Sequence, residues 1–167
     1  RISEALMTSY KFIWDDFCSW YLEMIKPMYG QPIDVKTKNE AISYFESILK
    51  IVHPFTPFIA EEIWHLIGRR NNEDCIVNAS WPAVKEKDDQ LLINFSLFEN
   101  VITQIRTLRK EKNIAQKVKL EITVNENINI DKTFDSLLIK LGNLSSLNYG
   151  NTKIESAFSF IIGSNEY

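Results

Sequence analysis

The side chains that could do chemistry are concentrated in residues 53–64, which read HPFTPFIAEEIW (the 53–64 stretch). Glu62 and His65 stand three residues apart, the Glu-x-x-His spacing found in helical di-metal sites. Such a site needs a second copy of the motif, and the chain has only His53 and His65 and no second copy. We therefore expect no metal site, and a small metal-dependent enzyme is kept only as an alternative.

Nucleophilic and cofactor chemistry find no support in the sequence. No serine or cysteine stands on a glycine-flanked turn of the kind that presents a catalytic nucleophile. No phosphate-binding loop or dinucleotide fingerprint is present. The two cysteines, Cys18 and Cys75, make neither a disulfide framework nor a metal quartet, and we expect Cys18 to be a buried structural thiol. An autonomous enzyme is not expected.

Charge is distributed unevenly along a chain of 167 residues whose formal net charge is -3. Residues 102–119 (the basic block) carry six bases against one acid, Glu111, while the other 149 residues carry 13 bases and 21 acids. A basic block on an otherwise acidic chain indicates that an anionic partner binds at a single site. A solvated helix end would show the same charges, so both interpretations stay open. The six bases are Arg106, Arg109, Lys110, Lys112, Lys117 and Lys119.

The elements that must position these residues are mainly helices, because apolar residues recur at spacings of three, four and seven. The pattern predicts a first helix over residues 2–26 that stops before Pro27. Thr37 and Glu40 have the form of a capping box for a second helix. A long helix is expected over about residues 90–112. Its predicted buried stripe is Leu91, Phe95, Phe98, Ile102, Ile105 and Leu108.

The 53–64 stretch itself is predicted to be the bend between two helices. Its prolines should break the second helix and set the angle to the third, which Thr56 can cap and which carries Phe58, Ile59, Ile63 and Leu66. Its phenylalanines and its tryptophan should pack inside the bend. Its acidic pair lies early in the third helix, where negative charge interacts favourably with the helix dipole. Its histidine should hydrogen-bond across the bend. These structural residues are His53, Pro54, Phe55, Pro57, Phe58, Glu61, Glu62 and Trp64.

The period of the pattern changes after residue 114. VKLEITV alternates, with Val118, Leu120, Ile122 and Val124 on one face, which predicts a strand. Asp131 or Thr133 could cap a short helix, and SLNYGN and SAFSFIIG indicate two more strands. The predicted fold class is mainly α: a helical bundle over residues 1–114, followed by a small α/β appendage over residues 115–167.

Several motifs resemble one protein family. The 53–64 stretch resembles the His-Pro-Phe-x-Pro-Phe-x-x-Glu-Glu-x-Trp signature of the anticodon-binding domain of valyl-, isoleucyl- and leucyl-tRNA synthetases. IWDDFCSWYLEMIKP, at residues 13–27, is similar to the valyl form, and the Phe-Tyr-Leu-Asp of the isoleucyl form is absent. SWP at residues 80–82 and IRTLRKEKNI at residues 105–114 fit the valyl pattern in order and spacing. The resemblance covers the helical part almost completely and the α/β part loosely.

The resemblance implies a helical bundle of the class Ia anticodon-binding type that binds the anticodon stem-loop of valine tRNA. The full-length enzyme would attach valine to that tRNA with ATP and Mg, while this part needs no cofactor. The His-Ile-Gly-His and Lys-Met-Ser-Lys-Ser signatures of the ATP site are absent, so we expect a non-catalytic fragment, truncated at its N-terminus. The implied partners are valine tRNA and the rest of the synthetase chain. We also expect a cytoplasmic monomer with no membrane contact.

Candidate tRNA contacts lie in two segments that the resembling fold brings to one surface. Unpaired bases stack on aromatic rings and hydrogen-bond to polar groups, whereas phosphates need cations. Two alternatives stay open: the tryptophans could belong to the bundle core, and the aspartates could be exposed to solvent without contacting RNA. An isoleucyl anticodon-binding domain, or a helical module that docks an acidic protein, stays open for the whole chain. The candidate residues are Trp14, Asp15, Asp16, Trp20, Arg106, Arg109, Lys110 and Lys112.

Overall fold

The computed structural model describes residues 1–84, 86–124, 132–150 and 157–160, and the backbone of 161–162 and 165–166. Its described part is mainly helical with a small parallel sheet in the C-terminal third, which confirms the predicted fold class. The chain divides into two compact units, Arg1–Lys85 and Glu86–Tyr167. The domain boundary near residue 114 stays a prediction. None of the helices in the described ranges is long and apolar enough to cross a membrane.

The first unit begins with one uninterrupted helical run that changes its winding twice. Residues Lys11 and Leu22, which flank the middle segment, both keep right-handed helical backbone angles. The run ends where Lys26 turns to an extended conformation (ψ 125°), as expected for a residue that precedes a proline. The predicted helix over residues 2–26 is therefore confirmed in extent. Its segments are α1 (Ile2–Lys11), a π-helical segment (Phe12–Tyr21) and α2 (Leu22–Ile25).

Two further helices and a short 3-10 turn complete the first unit: α3 (Val35–Val52), α4 (Pro57–Ile67) and Ile76–Asn78. The cap of α3 is Asp34, whose Oδ1 accepts a hydrogen bond from Thr37 N–H at 2.9 Å. The predicted capping box on Thr37 was wrong, because Thr37 lies within the first turn and provides the donor rather than the acceptor. Thr56 precedes Pro57 at the start of α4, as predicted, but its hydroxyl donates back to Val52 O at 3.3 Å.

The core of the first unit is built from α3, α4 and the 3-10 turn. Leu49, Ala60, Trp64 and Ile76 are buried together there. Of the four apolar residues assigned to α4 from the sequence, Ile63 packs against this cluster, whereas the other three are exposed. Those exposed side chains are Phe58 (90% exposed), Ile59 (53%) and Leu66 (76%).

The second unit joins one long helix to a β-α-β unit. Asp88 caps the long helix, accepting from Leu91 N–H at 2.9 Å. The strands β1 and β2 pair in parallel, from Leu120 opposite Leu144 to Val124 opposite Tyr149. The two short strands β3 and β4 pair antiparallel. The elements are α5 (Asp89–Glu111), β1 (Leu120–Val124), α6 (Asp135–Gly142), β2 (Leu144–Tyr149), β3 (Ile161–Ile162) and β4 (Asn165–Glu166).

The predicted patterns in the second unit are largely confirmed. Ile102, Ile105, Ile122 and Val124 are buried on their elements. Leu91 (48% exposed) and Val118 (45%) were placed wrongly, since Leu91 sits in the exposed first turn of α5 and Val118 precedes the strand. Of the predicted caps for α6, Thr133 lies within a preceding 3-10 turn (Lys132–Phe134) and Asp131 lies outside the described residues.

Candidate functional site

The 53–64 stretch clamps the loop that follows α4. Both carboxylate oxygens of Glu61 accept from Ile76 N–H, at 3.2 Å (Oε1) and 3.1 Å (Oε2). Trp64 Nε1–H donates to Asp74 O at 3.0 Å. Two side chains on successive turns of α4 thus fix the backbone of residues 74–76, and Ile76 fills the core. The stretch works in the structure as a support for this loop.

The two histidines face the same carboxylate. His65 Nε2 lies 3.1 Å from Glu61 Oε1, whereas His53 Nε2 lies 4.0 Å from Glu61 Oε2, which is too long for a hydrogen bond. The partner of His65 is therefore Glu61, one turn earlier on α4, while Glu62 is exposed to solvent. In the described ranges, no group of three or more His, Cys, Asp or Glu residues could hold a metal ion.

Trp64 lies at the centre of the bend, as predicted, with 8% of its surface exposed. The Arg70 guanidinium carbon lies 3.6 Å from the centroid of its ring, and Lys50 Nζ lies 5.4 Å from it. Arg70 also donates to Trp64 O and to the Glu46 carboxylate. The expectation that Phe58 packs inside the bend was wrong, because that side chain is 90% exposed.

The candidate base-reading residues Trp14, Asp15, Asp16 and Trp20 all fall within the π-helical segment. Leu22 N–H donates to Phe17 O across five residues, the bonding pattern of a π-helix. Such segments are rare and are frequent at functional sites. This wider winding could not be seen in the sequence, where the apolar spacing fits an α-helix equally well.

Within this segment, Trp14 is 60% exposed and stacks on Tyr10 with ring centroids 6.3 Å apart. Trp20 is half-buried, so the bundle-core alternative does not apply to Trp14 and applies to Trp20 only in part. Asp15 and Asp16 are exposed. Partial burial, and secondarily the neighbouring Asp15 carboxylate, raise the pKa of Asp16 above its ordinary value.

Cys18 is exposed, so the expectation of a buried thiol was wrong. The inward face of the segment is occupied instead by Phe17, which is 8% exposed. Its ring stacks on Phe45 of α3 and on Tyr21, with centroids 5.8 and 5.5 Å apart. The neighbouring thiol therefore turns towards solvent.

Five of the six cations of the basic block are exposed. Arg106 and Lys110 are four residues apart on α5 and therefore share one helix face. Lys112 caps α5, and its Nζ lies 4.2 Å from the centroid of the Phe158 ring. The exposed cations are Arg106, Lys110, Lys112, Lys117 and Lys119.

Arg109 is the exception, with 3% of its surface exposed. Its Nη1 donates to Ala115 O (3.3 Å) and Val118 O (2.8 Å), and its Nη2 donates to Gly142 O (3.0 Å) and Asn143 O (3.2 Å). The guanidinium thus ties the end of α5 to the chain before β1 and to the end of α6. Because its donors are turned inward, Arg109 is corrected from a candidate tRNA contact to a structural residue.

Comparisons with known proteins agree with the motifs. Residues 1–124 match the protein family described as "Anticodon-binding domain of tRNA ligase". Over its whole length the chain is 48% identical to a valine–tRNA ligase of Christiangramia forsetii, 44% to that of Porphyromonas gingivalis and 41% to that of Bacteroides thetaiotaomicron. It covers 19% of each of these relatives, about a fifth of their length.

Proposed function

Because the chain belongs to the family of anticodon-binding domains of tRNA ligases, we propose that it binds the anticodon stem-loop of valine tRNA. The valine assignment rests on the names of the relatives and on the valyl form of residues 13–27. The parent protein would be a cytoplasmic, monomeric valine–tRNA ligase that uses ATP and Mg. Valine activation and transfer would then belong to other parts of that protein.

The observation that carries the proposal is the basic block. Its five exposed cations lie within 14 residues of a chain whose net charge is -3. In the described part of the chain, Lys110, Lys117 and Lys119 form no ion pair with a carboxylate. Exposed cations without a paired carboxylate can neutralise phosphates and release counterions, which supplies much of the affinity of proteins for nucleic acids. Arg106, Lys110 and Lys112 are the proposed contacts to the tRNA backbone.

The proposed contacts to the bases lie in the π-helical segment. The exposed ring of Trp14 offers a stacking face, and Trp20 offers part of one. The carboxylates of Asp15 and Asp16 accept hydrogen bonds from the amino groups of bases. Phosphate contacts position the RNA, whereas contacts to base edges carry the sequence information. The two sets of residues should therefore respond differently to substitution.

A titration of the purified chain with valine tRNA, and with the same tRNA carrying a changed anticodon, tests this division. Lys110→Ala and Lys112→Ala should weaken binding of both tRNAs and lower the slope of log affinity against log salt by about one unit each. Asp16→Ala should mainly narrow the difference in affinity between valine tRNA and the tRNA with the changed anticodon. Lys36→Ala, an exposed lysine at the start of α3 and outside the basic block, is the matched control and should change neither quantity.

Two results would contradict the proposal. If both lysine variants keep the affinity and the salt slope of the parent sequence, the basic block is only a solvated helix end. If the chain prefers acidic proteins to tRNA, it is a protein-docking module.

A further inference from the structure

Among the described residues of the C-terminal α/β part, the exposed ring of Phe158 lies directly beside the basic block. Phe158 is 56% exposed, and Lys112 Nζ lies 4.2 Å from the centroid of its ring. An ammonium over a ring face is attracted by the electron-rich π system, so this contact favours one placement of the lysine against the ring. More than half of the surface of Phe158 nevertheless remains exposed to water, so this residue contributes little to the hydrophobic core.

We propose that Phe158 is a stacking platform for an unpaired base of the bound RNA, with Lys112 at an adjacent phosphate. This inference rests on the proposed tRNA binding and extends it from the helices to the C-terminal α/β part. Every base offers a π face, and stacking on an exposed aromatic side chain beside cations is how proteins hold single-stranded nucleic acids. Phe158 and Lys112 supply the ring and the cation at one place.

A second cation–π pair in the same unit contributes to the fold and serves as a comparison for Phe158 and Lys112. Lys132 Nζ lies 4.4 Å from the centroid of the Tyr149 ring. Tyr149, however, is half-buried on β2, and its hydroxyl donates to Asp135 Oδ1 at 2.7 Å. That ring is committed to the fold, whereas Phe158 has no polar handle and remains open.

The charges that flank Lys112 in the sequence favour RNA over a protein partner. Lys110 stands two residues before Lys112 and Lys117 five residues after it, and both are exposed. Within residues 102–119 Glu111 is the single acid. An apolar protein partner on this ring would have to cover Lys112 and remove its ammonium group from water without pairing it, which is unfavourable. A polyanion with flat apolar bases matches both the ring and the cations.

The test compares Phe158→Leu, which removes the ring, with Phe158→Tyr, which keeps it. Probes are valine tRNA, a single-stranded RNA oligonucleotide and an RNA duplex without unpaired bases. Phe158→Leu should weaken binding of tRNA and of the single strand about fivefold or more and leave the duplex and the salt slope unchanged. Phe158→Tyr should keep the parent affinity. Lys112→Gln should weaken all three and lower the salt slope by about one unit.

Phe58→Leu is the control, because that phenylalanine is 90% exposed and lies outside the basic block. The urea midpoints of all variants should match that of the parent sequence. Equal affinity of Phe158→Leu and the parent sequence for tRNA would overturn the inference and leave the proposed function standing. So would an equal loss in Phe58→Leu, or an equal loss for duplex RNA. A parent sequence that binds none of the probes would overturn both.

Discussion

Replacing the buried Arg109 by methionine should destabilise the second unit by about 3 kcal/mol. Methionine replaces the aliphatic stem of arginine but has no donors, so the carbonyls that Arg109 contacts lose their partner. The two shorter hydrogen bonds, 2.8 Å to Val118 O and 3.0 Å to Gly142 O, contribute about 1.5 kcal/mol each. The two longer ones, to Ala115 and Asn143, are weaker, and the relief of removing a buried charge roughly offsets them.

The assay is urea unfolding followed by far-UV circular dichroism, with amide hydrogen exchange as the local readout. All four tryptophans lie in the first unit, so tryptophan fluorescence alone would not follow this change. The backbone around Val118 and Gly142 should exchange faster in Arg109→Met. Arg109→Lys should recover only a small part of the loss, because a single ammonium cannot serve carbonyls on two sides as the guanidinium fork does.

Lys110→Met is the matched control, since Lys110 is the next residue on α5 and is exposed. It should change the free energy of unfolding by less than about 0.5 kcal/mol. If Arg109→Met destabilises the chain no more than Lys110→Met does, the inward placement of Arg109 is refuted. It would then return to the candidate tRNA contacts.

Three further predictions concern the first unit. Trp64→Ala should lower the free energy of unfolding by about 3–5 kcal/mol, whereas Phe58→Ala should change it by less than about 0.5. Equal urea midpoints for the two variants would refute the described bend. Glu61→Ala should cost about 1–3 kcal/mol because Ile76 N–H loses its acceptor, and unchanged hydrogen exchange at residue 76 would contradict this. The raised pKa of Asp16 means that the folded state disfavours its charge, so the parent sequence should lose stability relative to Asp16→Asn as pH rises from about 3.8 through the folded pKa. A stability difference that stays constant between acid and neutral pH would contradict that assignment.

The helices and the parallel strand were predictable because their apolar periods are long and regular. The predicted spans of residues 2–26 and 90–112 agree with the structure to within a few residues. Trp64 could be placed because it lies inside a bend that two prolines enforce. The exposure of Phe58 could not be predicted, because the apolar residues of α4 fit either helix face as the buried one. The loop that Glu61 holds makes the face without Phe58 the buried one.

The inward turn of Arg109 left a signal in the sequence. It follows Ile102 and Ile105 by seven and four residues, so it continues the buried stripe of α5 at the position where an apolar residue would be expected. The charge of its neighbours concealed that signal. The exposed ring of Phe158 left none, because SAFSFIIG predicts a strand with either face inward. Its place beside Lys112 depends on contacts between residues far apart in the chain.

Nuclease protection of valine tRNA by the purified 167-residue chain tests the proposed anticodon binding most directly. Protection maps the RNA surface that the protein covers without assuming which side chains touch it. We expect protection confined to the anticodon loop and the adjoining stem, and loss of that protection when Lys110 and Lys112 are both replaced by alanine. Protection of the acceptor arm alone, or an unprotected tRNA at saturating protein, would contradict it.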